Sequence, residues 1–247
     1  MKKRIFSLII TITMLVSAAP IISYAGNMGS ADIYQTISAG YNHTVAIKTD
    51  GSLWAWGQYY VGGKGYKYDN YRRSPKKFMD NVKAVSAGAR YSAAIQTDGS
   101  LWTWGDNYNG QLGNGTNAGQ LKPIKIMDDV IAVSVGVYHT AAIKTDGSLW
   151  AWGENSAGQL GNGTNVDQVK PIKIMDCVIA VSVGTYYTAA IKSDGSLWAW
   201  GSNNSGQLGN GTNVDQVKPI KIMDDVIAVS SGDEHTAAIK SDGSLWT

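Results

Sequence analysis

Side chains able to cleave, transfer or coordinate are few in this chain, and nearly all recur in one register. The three histidines are His43, His139 and His235, with Tyr91 and Tyr187 at the matching places between them. Imidazoles bind metal or move protons where they converge. Here each sits in a separate copy of one unit, so the register predicts a structural position that accepts His or Tyr, and no metal site. Asp50, Asp98, Asp146, Asp194 and Asp242 each precede a glycine, a turn signature. Asp128, Asp129, Asp176, Asp224 and Asp225 fall in the link before the next unit. A catalytic pair is unique to its site, whereas these are copied along the chain. There is no Ser-His-Asp order, no G-x-S-x-G elbow and no carboxylate pair outside turns. The chain is read as non-enzymatic, with no cofactor.

Several motifs imitate chemistry without its context. Gly62-Gly63-Lys64-Gly65 suggests a phosphate loop but lacks the required spacing and a following helix, and it aligns with Gly110-Gln111-Leu112-Gly113. Ser74-Pro75-Lys76-Lys77 suggests a basic DNA-binding segment but aligns with Lys122-Pro123-Ile124-Lys125. Asn42-His43-Thr44, Asn114-Gly115-Thr116 and the copies of the latter are N-x-T sequons, and they read first as turns. Cys177, the single cysteine, stands where Asp129 and Asp225 stand in other units and reads as an incidental surface thiol.

The informative residues are those that vary. After a recurring glycine come Tyr41-Asn42, Ala89-Arg90, Val137-Tyr138, Thr185-Tyr186 and Asp233-Glu234. A second variable set covers 58–61, 106–109, 154–157 and 202–205. The first unit adds Tyr59, Tyr60, Tyr66, Tyr68, Tyr71, Arg72 and Arg73. Tyr and Arg are enriched at binding hot spots, so Tyr41, Asn42, Arg90, Tyr138, Tyr186, Glu234 and this Tyr/Arg stretch are the candidate contact residues.

These positions are held by a repeat of 48 residues. Gly40, Gly88, Gly136, Gly184 and Gly232 mark it, and all nine tryptophans lie in a Leu-Trp-x-Trp-Gly element or its start at Trp246. The units run 34–81, 82–129, 130–177 and 178–225, with a partial fifth at 226–247. Each reads as short strands joined by tight turns. The Asp-Gly pair predicts a two-residue hairpin loop, which places Ile143 opposite Trp150 and Ala142 opposite Ala151. Pro171-Ile172-Lys173-Ile174 reads as a fourth, outer strand with lysine guarding the edge. Four antiparallel strands per unit predict an all-β fold, a β-propeller of four-stranded blades. The Trp pair is expected to cement blade to blade.

The first 25 residues read as an address. Lys2, Lys3 and Arg4 precede an apolar run over 5–16, and Ser23-Tyr24-Ala25 suits a signal peptidase. Cleavage after Ala25 leaves a short lead, 26–33, with no membrane span, and predicts a secreted or surface-held protein. It also removes three cations and no carboxylate, so the formal net charge of +2 becomes −1. That balance argues against a nucleic-acid partner. One cysteine excludes an intrachain disulfide, and 29 glycines exceed the roughly 17 expected from average usage, which suits a turn-rich chain.

The run Val-Ser-Val-Gly-x-x-His-Thr-Ala-Ala-Ile-Lys-x-Asp-Gly-Ser-Leu-Trp-Ala-Trp-Gly, followed by Gly-Gln-Leu-Gly-Asn-Gly-Thr, resembles the regulator-of-chromosome-condensation repeat. It looks most like the bacterial, alpha-tubulin-suppressor-like branch. The resemblance spans about residues 34–247 and implies a seven-bladed propeller. Four and a half repeats are present, which suggests an incomplete ring from a longer chain; an open arc, a smaller ring or closure by oligomerisation are the alternatives. The family's namesake is a nuclear exchange factor for a small GTPase. A secreted chain would not meet that partner, and no unit carries an inserted hairpin, so that activity is not carried over. One secreted class in the family inhibits β-lactamases, but no residue here points to that role. The expected function is binding of a protein or cell-envelope component through variable rim loops. The alternative is a structural surface array or adhesin module in which repeat number matters more than any site.

Overall fold

The computed structural model describes residues 34–58 and 71–247. The expected signal peptide and lead lie outside these residues, as do Tyr59, Tyr60, Tyr66 and Tyr68. Strands and turns account for the described secondary structure. Blade 1 is β1 (Tyr34–Ala39), β2 (His43–Lys48), β3 (Leu53–Gln58) and β4 (Tyr71–Met79). Blade 2 is β5 (Val82–Ala87), β6 (Tyr91–Gln96), β7 (Leu101–Gly105) and β8 (Gln120–Met127). Blade 3 is β9 (Val130–Val135), β10 (His139–Lys144), β11 (Leu149–Gly153) and β12 (Gln168–Met175). Blade 4 is β13 (Val178–Val183), β14 (Tyr187–Lys192), β15 (Leu197–Gly201) and β16 (Gln216–Met223). A fifth sheet has β17 (Val226–Ser231), β18 (Thr236–Lys240) and β19 (Leu245–Trp246).

All pairings within a blade are antiparallel and sequential. This alternation puts the connections between strands one and two, and three and four, at one end of every blade. The hairpins between strands two and three, and the links between blades, lie at the other end. Inner strands β1, β5, β9, β13 and β17 succeed one another, so the blades form an arc.

The hairpin register differs by one residue from the expected one. Ile143 faces Leu149, Ala142 faces Trp150, and Ala141 faces Ala151. The loop has three residues, not two. Lys144 N donates to Ser148 O, and Gly147 N donates to Lys144 O, both at 2.9 Å. Only the glycine of the Asp-Gly pair takes a positive φ, 78°. The Asp146 carboxylate instead accepts from Ser148 N at 2.9 Å and Ser148 Oγ at 2.6 Å. This is the turn-plus-bulge hairpin rather than the two-residue one. Each indole therefore lies opposite a small residue, Ala142 for Trp150 and Thr140 for Trp152.

The two tryptophans of a pair do different work. Trp104, Trp152 and Trp200 are fully buried and pack into the preceding blade. Trp152, for example, joins Tyr91, Leu101 and Leu112 of blade 2. Burying an indole contributes on the order of 4–6 kcal/mol before entropy. Its Nε1 donates to the Gln111 carbonyl at 2.9 Å, and Trp200 Nε1 does the same to Gln159. Gly113 must be bare because a Cβ there would stand 2.6 Å from Trp152 Nε1. The first indoles, Trp102, Trp150 and Trp198, are only half-buried and donate to a serine of their own turn. The second tryptophan thus carries most of the cement expected of the pair.

Along the inner strands the blades approach glycine to glycine. A Cβ on Gly88 would lie 2.3 Å from the Gly136 carbonyl oxygen, and one on Gly136 would lie 2.5 Å from that of Gly184. Beside this column Ser38, Ser86, Ser134 and Ser182 each accept a backbone N–H from the next blade, at Ala87, Val135, Val183 and Ser231. Gly88→Ala is expected to destabilise the protein by about 1–3 kcal/mol through this overlap. The thermal midpoint should fall by roughly 2–4 °C per kcal/mol. An unchanged midpoint would contradict the glycine column.

Candidate binding groove on the blade rim

The His/Tyr position is a clasp across the blade seam. His139 Nε2 meets Thr188 Oγ1 at 2.8 Å, and His43 Nε2 meets Ser92 Oγ at 2.7 Å. In the alternate copies the Tyr91 hydroxyl donates to the His139 carbonyl at 2.6 Å, and Tyr187 donates to that of His235. Thr188 Oγ1 also donates to Gln159 O at 2.9 Å. Its contact with His139 therefore needs Nε2–H as the donor, which assigns the neutral tautomer. These imidazole–hydroxyl distances match those of a base and its nucleophile. Both hydroxyls, however, are 0% exposed inside the seam, and their geometry is structural.

Burial sets the protonation of this clasp. Desolvation lowers His43 to about 4 and His139 to about 3. The native imidazoles are therefore neutral, while in the unfolded chain they take up protons below pH ~6.5. Their stabilisation is complete above that pH and drains as pH falls toward the native values, by up to ~1.4 kcal/mol per unit for each histidine. His139→Tyr, the residue found at 91 and 187, should roughly halve the loss of urea midpoint between pH 7 and pH 5. An identical pH dependence in this variant would remove His139 from the clasp.

Just outside the clasp lie the variable residues. Each loop between strands one and two is closed by its glycine, as where Gly136 N donates to His139 O at 3.1 Å. The exit of strand three is tied to the same loop. Asp106 N donates to Arg90 O at 3.1 Å, Glu154 N to Tyr138 O at 3.0 Å, and Ser202 N to Tyr186 O at 2.9 Å. The two variable sets thus share one backbone frame, which leaves side-chain identity open.

The frame brings five blades together around a groove of about 680 Å³. Tyr41, Arg90, Tyr138, Tyr186 and Glu234 all line it. Asp106, Ser202, Asn204 and Ser205 of the second set join them. The Tyr138 and Tyr186 rings stand 5.2 Å apart, inclined by 30°. Desolvation, the Tyr138 hydroxyl and the Glu154 charge push Tyr186 up to about 12. Glu154 is itself raised, by burial and then by Asp167.

Other candidates lie elsewhere. Asn42 is not among the lining residues, and its Nδ2 donates to Gln58 Oε1 at 3.3 Å. Arg72 and Arg73 belong to the outer strand β4 and are not among the lining residues, and Arg72 stacks on Phe78 at 4.7 Å. Tyr71 shares that strand, with its backbone opposite Gln58. Asn114 is a turn residue, its Oδ1 accepting from Thr116 N and Oγ1 at 3.0 and 2.9 Å. Cys177 is exposed at a left-handed φ of 63°, as Asp129 and Asp225 are at 63° and 64°.

One set of residues escaped sequence reasoning. Asn107, Asn155 and Asn203 sit inside the second variable stretch yet are completely buried. Asn155 Nδ2 holds Asn162 Oδ1, Thr164 O and Val166 O, while its Oδ1 accepts Leu160 N at 2.9 Å. These hubs shape the loop that bears the rim residues. Their constancy amid changing neighbours was the available signal.

Comparison with known proteins agrees with this architecture. Human WBSCR16 superimposes with a TM-score of 0.71 at 23% identity, over 86% of this chain and 59% of that one. Yeast RCC1 (Prp20), in its Kap60 complex, gives 0.76 at 20%, over 86% and 55%. Saccharomyces cerevisiae Prp20p gives 0.63 at 17%, over 83% and 68%. The chain thus spans little more than half the length of the first two. No curated protein sequence matches it. The RCC1-like domain profile matches residues 18–247, and the chain belongs to the RCC1-like domain family.

Proposed function

We propose that this protein is a secreted, non-enzymatic binding module that holds a protein or cell-envelope partner in the rim groove. One observation carries the reading. Units 130–177 and 178–225 differ at only seven positions. Four of them, Val137/Thr185, Glu154/Ser202, Ser156/Asn204 and Ala157/Ser205, place in unit four residues that line the groove. Divergence concentrated on one surface of a copied scaffold suits selection for a contact. A surface array whose units act only by number gives no reason for that bias.

The neighbours support a protein as the partner class. Yeast RCC1 was solved bound to Kap60, and Prp20p is described with binding properties to Gsp1p and histones. Secretion rests on the character of residues 1–25 and puts nuclear partners out of reach; the exchange activity of the family's namesake is not part of the proposal. Replacing Arg90, Tyr138 and Tyr186 by Ala should weaken capture of secreted or envelope partners by about tenfold or more, on the scale of interface hot spots. The thermal midpoint should fall by no more than about 6 °C, the loss of one cross-blade ring pair, because these side chains take no part in the buried clasp, serine or indole contacts. Unchanged capture would refute the groove. Deleting residues 130–177 should abolish capture, whereas an array would tolerate the loss.

A further inference from the structure

We infer that the groove accepts a cationic side chain, arginine above all, from a peptide segment of the partner, stacked on the Tyr138–Tyr186 pair and held by the carboxylates of the fifth sheet. This rests on the groove being the binding surface and names what it takes. The lining has three carboxylates, Asp106, Asp233 and Glu234, against one guanidinium, Arg90. The charges are spread along the arc. Arg90 and Asp106 come from blade 2, the tyrosines from blades 3 and 4, and Asp233 and Glu234 from the fifth sheet.

The carboxylates are aimed, not merely present. Thr185 Oγ1 donates to Asp233 Oδ1 at 2.8 Å, and Ser205 Oγ donates to Glu234 Oε2 at 3.2 Å. An ionised carboxylate has about four acceptor sites, so one hydroxyl fixes its orientation and leaves room for the fork of a guanidinium. Tyr186 keeps 37% of its surface exposed. A guanidinium plane stacks on such a ring and pairs with carboxylates at the same time, which an ammonium does less well. A phosphate or an acidic peptide meets the wrong charge here, and a neutral glycan gains the aromatic faces without the carboxylates.

The test is a fluorescence-anisotropy titration of the full chain with three probes. They are a labelled dodecapeptide of alternating Arg and Ser, its citrulline counterpart, and a labelled N-acetylglucosamine hexamer. The arginine peptide should bind at least tenfold more tightly than the citrulline peptide, which keeps the shape and loses the charge. Tyr186→Ala, and Asp233→Asn with Glu234→Gln, should each weaken it at least fivefold. Asp176→Asn, at the opposite end of the blades, should leave it unchanged. Equal binding of both peptides, lost in Tyr186→Ala, would overturn the cationic specificity while leaving the groove in place. Binding of the hexamer alone, also lost in that variant, would do the same in favour of a glycan. An arginine peptide that does not bind, or that binds all variants alike, would overturn the inference. Failure of the groove itself would instead show as partner capture indifferent to Arg90, Tyr138 and Tyr186.

Discussion

The approach of one glycine to the carbonyl of the next blade's glycine sets the spacing of the arc. Gly40, Gly88 and Gly136 recur because a single added carbon would overlap a backbone oxygen across the seam. Once the inner strands sit at that distance, everything outward is within reach. Serine meets a backbone N–H, the His/Tyr clasp meets a carbonyl or hydroxyl, and the second indole slides under the Gly-Gln-Leu-Gly loop of its neighbour. A single blade has two apolar faces and cannot bury both alone. The seam buries them and pairs most of its polar groups in the same step, although Trp104 Nε1, His139 Nδ1 and Gln159 Nε2 are buried there with no hydrogen-bond partner among the described residues.

The proposed binding role draws on what the seam leaves alone. Its bonds run through backbone atoms, glycines and a few fixed side chains. The loop residues just above it are clamped through their backbones, so their side chains can change without disturbing the packing. Val137 and Thr185 share one backbone geometry and differ in chemistry, as do Glu154 and Ser202. A rigid frame with interchangeable side chains lowers the ordering cost of binding. The Tyr138–Tyr186 pair illustrates this, since two adjacent blades each supply one ring to a common wall.

Much of this was legible in the sequence because a repeat turns one position into several observations. The blade, its strands, the rim location of Tyr41, Arg90, Tyr138, Tyr186 and Glu234, and the structural role of the histidines all followed from register. What was missed depended on geometry finer than register. The Asp-Gly turn shifted by one because the Asp146 carboxylate caps Ser148, which leaves only Gly147 in the left-handed region. Asn107 and its copies were grouped with variable residues because their burial arises from a loop folding back over them. Of the Tyr/Arg stretch of the first unit, Tyr59, Tyr60, Tyr66 and Tyr68 lie outside the described residues, while Arg72 and Arg73 stand on the outer strand β4.

The seam claim is tested most directly by amide hydrogen exchange on the intact protein. The N–H groups of Val135 and Val183 bond to serines of the preceding blade. If the seam sets stability, these amides should exchange only with the slowest, most global opening, far more slowly than those of β18 and β19 in the fifth sheet. Equal protection of all five sheets, each exchanging as an independent hairpin unit, would contradict an arc held together between its blades.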